Sequence, residues 1–470
     1  MHLLRRLAVR PSRCFDGPAS RLLVRRRLSN GGPSSAAATA AAASDKGPRG
    51  WALLNKLVRR RDGDDPVVAD AGTTAEARTS TGRHLRVSLG RAEPPASSFL
   101  YYGWAGGGGA APGDEEEEEK EKEKSPEIVA AHGDAVLLEV AQRQHGRRAY
   151  DYLVYVAGAG AGRPPSLSLL PAGEREPHEP LMNGRSIVLL RRGEDGDLLV
   201  AQLCSAFRGR DKDLAELRVC RLGGGGGGGG GRAVVRIVDG VDGDLDWSWH
   251  SYTAVPVGER FMCWADYNKG VLVCDMADLE AGRPRLRHAR MPEVDDDPEW
   301  EHGDRADGCG GDWLYTWNMG AAGAAALRYV TVDPRCCCGH SPTRSSCPHG
   351  GDLFAVTTWT LDLTPAAAAD DDGDGEPAAM AWVKEGTLDC DELWELPGYE
   401  GLPRVAPEWP VVSAADADVV CFMVRGGVPR ETWMVEVDTR KKELLSVAPW
   451  TNVDVPREAT LVHVPAKLHG

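Results

Sequence analysis

The chain has 470 residues, of which 42% are hydrophobic, and a formal net charge of −15 at pH 7. This length is enough for two to three average domains, or for one large β domain with tails. The acidic balance argues against bulk binding to nucleic acid or anionic lipid, because both need neutralising cations. No apolar run approaches the ~18–20 residues that a transmembrane helix needs.

Residues 1–50 combine a presequence-like start with a low-complexity stretch. The first thirty residues contain eight arginines and one acid, which gives them a charge of +7 and leaves −22 for the rest of the chain. An arginine-rich, acid-poor start is typical of an organelle presequence. We therefore expect a mitochondrial protein, with the cytoplasm, nucleus or chloroplast as alternatives. Residues 31–49 are rich in Gly, Ala, Ser and Pro, and we expect them to be unstructured.

The next two segments are a predicted N-terminal β segment, residues 51–105, and an acidic, glycine-rich linker, residues 106–126. The runs "HLRVSL" and "SSFLYYGW" in the β segment are strand-like and are bounded by Gly and Pro. In the linker, glycines cannot pack and the block of like charges repels itself. We expect a solvated loop there.

Residues 127–450 are a succession of short apolar runs, rich in aromatic and β-branched residues and closed by Gly, Pro, Asp or Asn. Short strands at regular spacing predict an all-β sandwich, barrel or propeller. Residues 258–292 and 418–450 form a weak repeat that favours the propeller: strand, turn, strand ending in Asp, connector, strand ending in Pro. We predict an all-β fold, a β-propeller-like array of short antiparallel sheets, followed by a C-terminal tail, residues 451–470.

Three local patterns add detail to the predicted propeller. Nine consecutive glycines, residues 223–231, are followed by a strand pattern and lack the Lys-Ser/Thr of a phosphate loop, so they predict a flexible connector. The run "CDELWELP" is the one helix-like segment of this region. Strand-ending aspartates are expected to cap turns; they are Asp266, Asp275, Asp333 and Asp438.

Several segments resemble a plant family, expanded in grasses, that is known only as domain of unknown function 1618 (DUF1618). The resemblance extends over most of residues 51–450 and rests on long segments in the right order, among them "WALLNKLVRRRDG", "EIVAAHGDAVLLEV", "ERFMCWADYNKGVLVCDM" and "LWELPGYEGLPRVAPEWPVVS". It implies an all-β, propeller-like fold, similar to the β domains attached to plant F-box proteins. It implies no known reaction, cofactor or catalytic residue.

The segment "CCCGHSPTRSSCPHG" contains the candidate metal ligands, which are Cys336, Cys338, Cys347 and His349. Thiolates and imidazoles are the ligands of structural zinc sites, although the usual spacing is Cys-x₂₋₄-Cys and these pairs are tighter. The segment lies between two predicted strands, where a propeller has an exposed loop. The alternatives are an ordinary loop, which this position favours, and a redox-reactive cysteine cluster. Zinc is the only cofactor hypothesis. The chain has twelve cysteines without a dense spacing, for which reduced thiols are the default.

Other chemical patterns are weaker. Neither a Gly-x-Ser-x-Gly elbow nor a His-Glu-x-x-His pair occurs, and Ser186 lies at a strand start, where a hydroxyl satisfies the backbone. Residues 300–313 collect acids with His302 and Cys309, which suits either a cation site or ordinary turns. Trp247 and Trp249 share one face of a predicted strand, which favours core packing over an exposed ligand platform.

The function that these observations favour is a noncatalytic β-propeller-like interaction or scaffold module. We expect a monomer that binds an unidentified protein partner, and neither nucleic acid nor a membrane. No catalytic or cofactor-binding residue is predicted. The alternatives are an enzyme that uses a central propeller pocket and a zinc-stabilised regulatory module.

Overall fold

The structure is a computed structural model, and the residues that it describes all belong to the unit Lys46–Gly470. The described residues are 50–61, 71–105, 125–144, 147–158, 163–171, 184–193, 197–207, 213–222, 232–237, 240–241, 249–292, 316–334, 353–364, 380–426, 431–450 and 463–468. The presequence-like start, the glycine run 223–231 and all but the last two residues of the linker lie outside these ranges.

Six small sheets, mainly antiparallel, account for the strands of the described residues. The first sheet contains both ends of the described chain, in β1 (Ala52–Asn55), β2 (Arg59–Arg60), β3 (Ala75–Arg78), β4 (His84–Gly90), β5 (Ser97–Ala105) and β27 (His463–Ala466). The second contains β6 (Glu127–His132), β7 (Ala135–Gln144), β8 (Arg147–Val156) and β9 (Ser166–Leu169). The third contains β10 (Ile187–Arg191), β11 (Leu198–Phe207), β12 (Asp213–Leu222) and β13 (Arg232–Ile237).

The other three sheets follow in chain order. The fourth contains β14 (Gly240–Val241), β15 (Thr253–Val257), β16 (Phe261–Asp266), β17 (Gly270–Asp275) and β18 (Arg285–Ala289). The fifth contains β19 (Trp317–Ala322), β20 (Ala326–Pro334), β21 (Phe354–Asp362) and β22 (Trp382–Asp389). The sixth contains β23 (Glu408–Val412), β24 (Val419–Arg425), β25 (Thr432–Asp438) and β26 (Glu443–Pro449).

These sheets are the blades of a six-bladed β-propeller. One strand of each sheet contacts its counterparts in the two neighbouring sheets, and these inner strands close a ring in the order β27, β6, β10, β15, β19 and β23. The predicted all-β, propeller-like fold is therefore confirmed. The ring closes in the first blade, where β27 pairs antiparallel with β1 and Val464 faces Leu54. The segment described above as a C-terminal tail thus contains an inner strand, a four-residue run with a proline that carries little strand signal.

Each pair of neighbouring blades encloses its own apolar cluster, and there are six such clusters around the ring among the described residues. Because side chains alternate along a strand, Leu53 packs against the sixth blade and Leu54 against the second, and both are fully buried. Burial on both faces explains why the strands read as continuous apolar runs rather than alternating ones. Trp264, also fully buried, donates from Nε1 to the Ser186 carbonyl of the preceding blade at 2.8 Å.

The weak repeat corresponds to the outer three strands of two blades. Residues 258–292 contain β16 to β18, and residues 418–450 contain β24 to β26. Each repeat is shorter than a whole blade because its inner strand, β15 or β23, precedes it in sequence. Three of the four strand-ending aspartates accept turn or helix-cap hydrogen bonds, as predicted: Asp266 from Asn268 N, Asp275 from Ala277 N, and Asp438 from Arg440 N and Lys441 N.

Two short helices lie between strands of the described chain. The first, α1 (Met276–Glu280), follows β17 and was not predicted; the second, α2 (Cys390–Trp394), lies within the predicted helical run. Asp389 and Glu392 form a capping box at the start of α2. Neither these helices nor any other helix of the described residues has the length and apolar character to cross a membrane.

Candidate functional site

The inner strands surround a cavity of about 1130 Å³ on the propeller axis, here called the central channel. Its volume is slightly above the usual range of small-molecule pockets. All six inner strands contribute to its lining. The channel is a concave surface shared by described residues of all six blades, so we take it as the candidate site.

Strand direction divides the channel into two ends. The inner strands begin together at one end, the starting end, where the Lys56 carbonyl accepts from Ile128 N at 2.9 Å. They end together at the other, the finishing end, where Lys467 N donates to the Gly133 carbonyl at 2.8 Å. Side chains near these two residue pairs therefore lie at opposite mouths of the channel.

The described lining is more basic than the chain as a whole. Six lining residues carry a positive charge and three carry a negative charge, although the full chain has a formal net charge of −15. The positive residues are Lys56, Arg163, Arg185, Arg191, Arg260 and Lys467, and the negative ones are Asp134, Glu259 and Asp416. The channel therefore favours an anionic occupant that the rest of the surface tends to repel.

Most charges at the finishing end are paired. Asp134 accepts from the Arg163 guanidinium, and its other oxygen lies 3.1 Å from Arg191 Nε. Arg260 binds Asp275 through Nε and Nη2, at 2.7–3.0 Å. His132 Nδ1 accepts from Arg191 N at 2.9 Å. Burial, assisted by the nearby Lys467 charge, lowers the pKa of His132 to about 4, so this ring is neutral at pH 7.

At the starting end, two cations approach each other from different blades. Lys56 follows β1, and Arg185 lies in the 3₁₀ turn Gly184–Ser186 that leads into β10. Burial, and then the Arg185 charge, lower the pKa of Lys56 to about 8, although Glu127 raises it. No hydrogen bond or ion pair within the described chain involves the Lys56 ammonium.

A row of aromatic rings lies beside Arg185. Tyr252 stacks on Tyr267 with ring centroids 6.0 Å apart, and Tyr267 stacks on Tyr329 of the next blade at 5.9 Å. The Tyr267 hydroxyl is hydrogen-bonded to Thr253 Oγ1 at 2.9 Å. Burial raises the pKa of Tyr267, so its hydroxyl stays neutral and acts as a dipole rather than a counter-charge for Arg185.

His463, at the start of β27, adds a neutral ring to this end. The ring is buried, and its Nε2 is 2.8 Å from Ser97 Oγ. Its Nδ1 is also buried and has no hydrogen-bond partner among the described residues. Burial lowers the pKa of His463 to about 3, so the imidazole is uncharged at neutral pH.

The predicted metal ligands lie outside the described residues. Cys336, Cys338, Cys347 and His349 belong to the connection between β20 and β21, and zinc binding there stays a prediction. The acidic stretch 300–313 also lies outside. No cluster of three potential metal ligands occurs in the part of the chain that the structure describes.

Two other candidates have structural partners. Ser186 Oγ accepts from Gln202 Nε2 at 3.3 Å, which is a side-chain partner; a backbone partner for this hydroxyl stays a prediction. Trp249 packs against the cluster between the third and fourth blades, but residues 249–252 precede β15 and are not strand, which corrects the strand predicted there. Its partner in that prediction, Trp247, lies outside the described residues.

Sequence reasoning missed Lys56, Arg185 and His463. Lys56 offered a weak signal, as the charge that ends the apolar run "WALLN". The other two have none, because only ring closure brings β27 and the turn before β10 to the same mouth.

Comparisons with known proteins add a family match for one segment of the chain. No curated protein matches the chain. A solved structure from a structural and mechanistic analysis of two prolyl endopeptidases aligns at 13% identity, with a TM-score of 0.30, over 86% of this chain and 49% of that one. The chain thus spans about half the length of that structure. Residues 264–421, from β16 to β24, match the family described as "Protein of unknown function (DUF1618)". This match supports the assignment of residues 264–421 to the DUF1618 family.

Proposed function

We propose that the chain is a noncatalytic interaction module that binds a protein partner through the face at the starting end of the channel. The supporting observation is a difference in length between the connections that enter inner strands and those that leave them. Residues 106–126, 290–316, 390–407 and 450–462 are long connections that enter inner strands at the starting end. The turns that leave β6, β15 and β19 at the finishing end have only two or three residues. Long connections on a rigid framework are where recognition residues are usually found.

The connection 390–407 is the best described part of this face. Leu393 and Leu396 anchor it in the cluster between the fifth and sixth blades, and both are buried. Asp391 and Glu395 project from it and are exposed. A partner would therefore meet an acidic surface whose backbone is already fixed, which lowers the entropic cost of binding.

Affinity capture with two matched double variants tests this proposal. D391K with E395K changes the starting face, and E259K with E443K makes the same charge change at exposed positions of the finishing end. We expect the first pair to lose the proteins that the unchanged chain captures and the second pair to retain them. Loss in the finishing-end pair alone, or equal capture by both pairs, contradicts the proposal.

A further inference from the structure

The strand that completes the ring, β27, here called the closing strand, is held differently from the other five inner strands. It is the shortest of them, with four residues, one of which is Pro465. Each of the other five is followed directly by the strand that it pairs with, whereas the closing strand pairs with β1, more than 400 positions earlier. The closing strand can therefore separate from its blade without the unfolding of a hairpin.

His463, the first residue of the closing strand, lies in a closed site at the junction with β1. It is opposite Asn55 in the antiparallel register, and side chains of such a pair lie on one face of the sheet, with Cβ atoms about 4.5–5.5 Å apart. His463 is 2% exposed and Asn55 is fully buried. The imidazole Nε2 lies 2.8 Å from Ser97 Oγ, and the Trp450 ring packs edge-on against the imidazole, with centroids 5.2 Å apart.

The opposed pair has two buried polar atoms without a hydrogen-bond partner among the described residues, His463 Nδ1 and Asn55 Nδ2. The orientation of the Asn55 amide is fixed, because its Oδ1 accepts from Leu57 N at 3.0 Å, so the NH₂ group is the part left without a partner. A neutral His463 can present a bare Nδ1 to that donor. An imidazolium carries hydrogen on both nitrogens, so two donors would then share this face without an acceptor. The closed strand therefore favours the neutral ring.

Among the described residues, none of the charges around the closing strand compensates a proton on His463. The strands that pack most closely against it are β1, β6 and β23. The titratable and charged groups on these elements and beside them are Lys56, after β1; Glu127 and His132, on β6; Glu408, on β23; and Lys467, after the closing strand itself. Ser97, on β5, and Trp450, after β26, contribute neutral side chains. Burial, rather than a neighbouring charge, lowers the pKa of His463 to about 3.

We propose that the closing strand is released by acid: protonation of His463 detaches β27 from β1 and opens the channel wall at the first blade. Residues 463–467 all line the channel, so their departure gives access to it from the side. The same step uncovers the hydrogen-bonding edge of β1, Ala52–Asn55. This conformational switch does not depend on the proposed partner surface.

Hydrogen exchange of the full chain, measured by mass spectrometry at pH 7 and pH 5 and corrected for intrinsic rates, tests the release. Peptides that contain residues 463–468 and 51–56 report on the closing strand and β1, and peptides that contain residues 261–275 report on β16 and β17 as the reference. A pKa of 6.5 in the detached strand and about 3 in the closed one predict that exchange of the closing pair rises about 25-fold from pH 7 to pH 5. The reference should change far less.

Two single variants assign the proton. In H463Q the new amide takes the place of Nε2 beside Ser97 and cannot be protonated at these pH values, so the selective rise should disappear. In H132N the amide oxygen replaces the Nδ1 atom that accepts from Arg191 N, and the rise should remain.

The regional comparison in the unchanged chain stands whether or not these variants fold. An equal rise in the closing pair and the reference overturns the proposal. So does a selective rise that persists in H463Q or is lost in H132N.

Discussion

Arg328 of the fifth blade donates from Nη2 to Asp418 Oδ1 of the sixth blade at 2.6 Å. The same guanidinium donates from Nη1 to Thr360 Oγ1 at 2.8 Å, and its side chain is only 7% exposed. Asp418 also lies 3.4 Å from Arg440, so this interface joins two blades through a charged network as well as through its apolar cluster. Such a network fixes the angle between blades because each hydrogen bond has a required direction.

Arg328→Met should destabilise the propeller. The substitution keeps most of the side-chain volume but leaves Asp418 without its buried donor, at a cost of about 1–3 kcal/mol. Urea unfolding followed by tryptophan fluorescence measures the change. Arg285→Met, on the exposed face of β18, is the control and should change the free energy of unfolding by less than about 0.5 kcal/mol. Equal midpoints for the two variants would show that the network adds nothing to stability.

Gly258→Ala should cost more than a glycine substitution in open space. Gly258 has φ +54°, and a Cβ there would overlap the Ala324 carbonyl oxygen of the next blade. Gly282, after α1, also has positive φ (+77°) but no neighbour near its Cβ position. Gly282→Ala should cost about 1–2 kcal/mol from the backbone conformation alone. Denaturant midpoints give the stability lost in each variant. The loss in Gly258→Ala beyond that in Gly282→Ala measures the destabilisation that comes from the close approach of the two blades.

Buried His463 should make stability depend on pH. Its folded pKa of about 3 is below the ordinary value of 6.5, so the unfolded chain binds a proton that the folded chain excludes. The contribution of the uncharged His463 ring to the free energy of unfolding is complete above pH 6.5. It is lost as the pH falls toward 3, by up to about 1.4 kcal/mol per pH unit.

His463→Gln should therefore flatten the fall in unfolding free energy between pH 6.5 and 4, relative to the unchanged chain. The control is His250→Gln, at an exposed position. A parallel pH profile for His463→Gln and the unchanged chain would contradict the neutral, buried ring.

Zinc binding by Cys336, Cys338, Cys347 and His349 can be tested by elemental analysis of protein purified without added metal. We expect less than roughly a tenth of an equivalent, since a structural zinc site contributes folding free energy that this tryptophan-rich β core does not need. A full equivalent that is lost in the variant Cys336→Ser with Cys347→Ser would instead support the zinc-stabilised module.

The sequence by itself determined that the fold is all-β and that many of its strands are buried on both faces. Runs such as those of β16 and β24 are apolar at every position but the last because both faces pack against a neighbouring blade, and that pattern is local enough to be read without a structure. The family resemblance was readable for the same reason, since residues 264–421 include strands from β16 to β24.

The tertiary structure decided how the ring closes and which charges share a cavity. Strand β27 carries too few apolar residues to be recognised alone, and it becomes a strand by pairing with β1, more than 400 positions earlier. Lys56, Arg185 and His463 are far apart in sequence and belong to elements of two blades, so no spacing rule relates them. Long-range closure, rather than local propensity, creates their shared environment, and burial there changes the pKa values of Lys56 and His463.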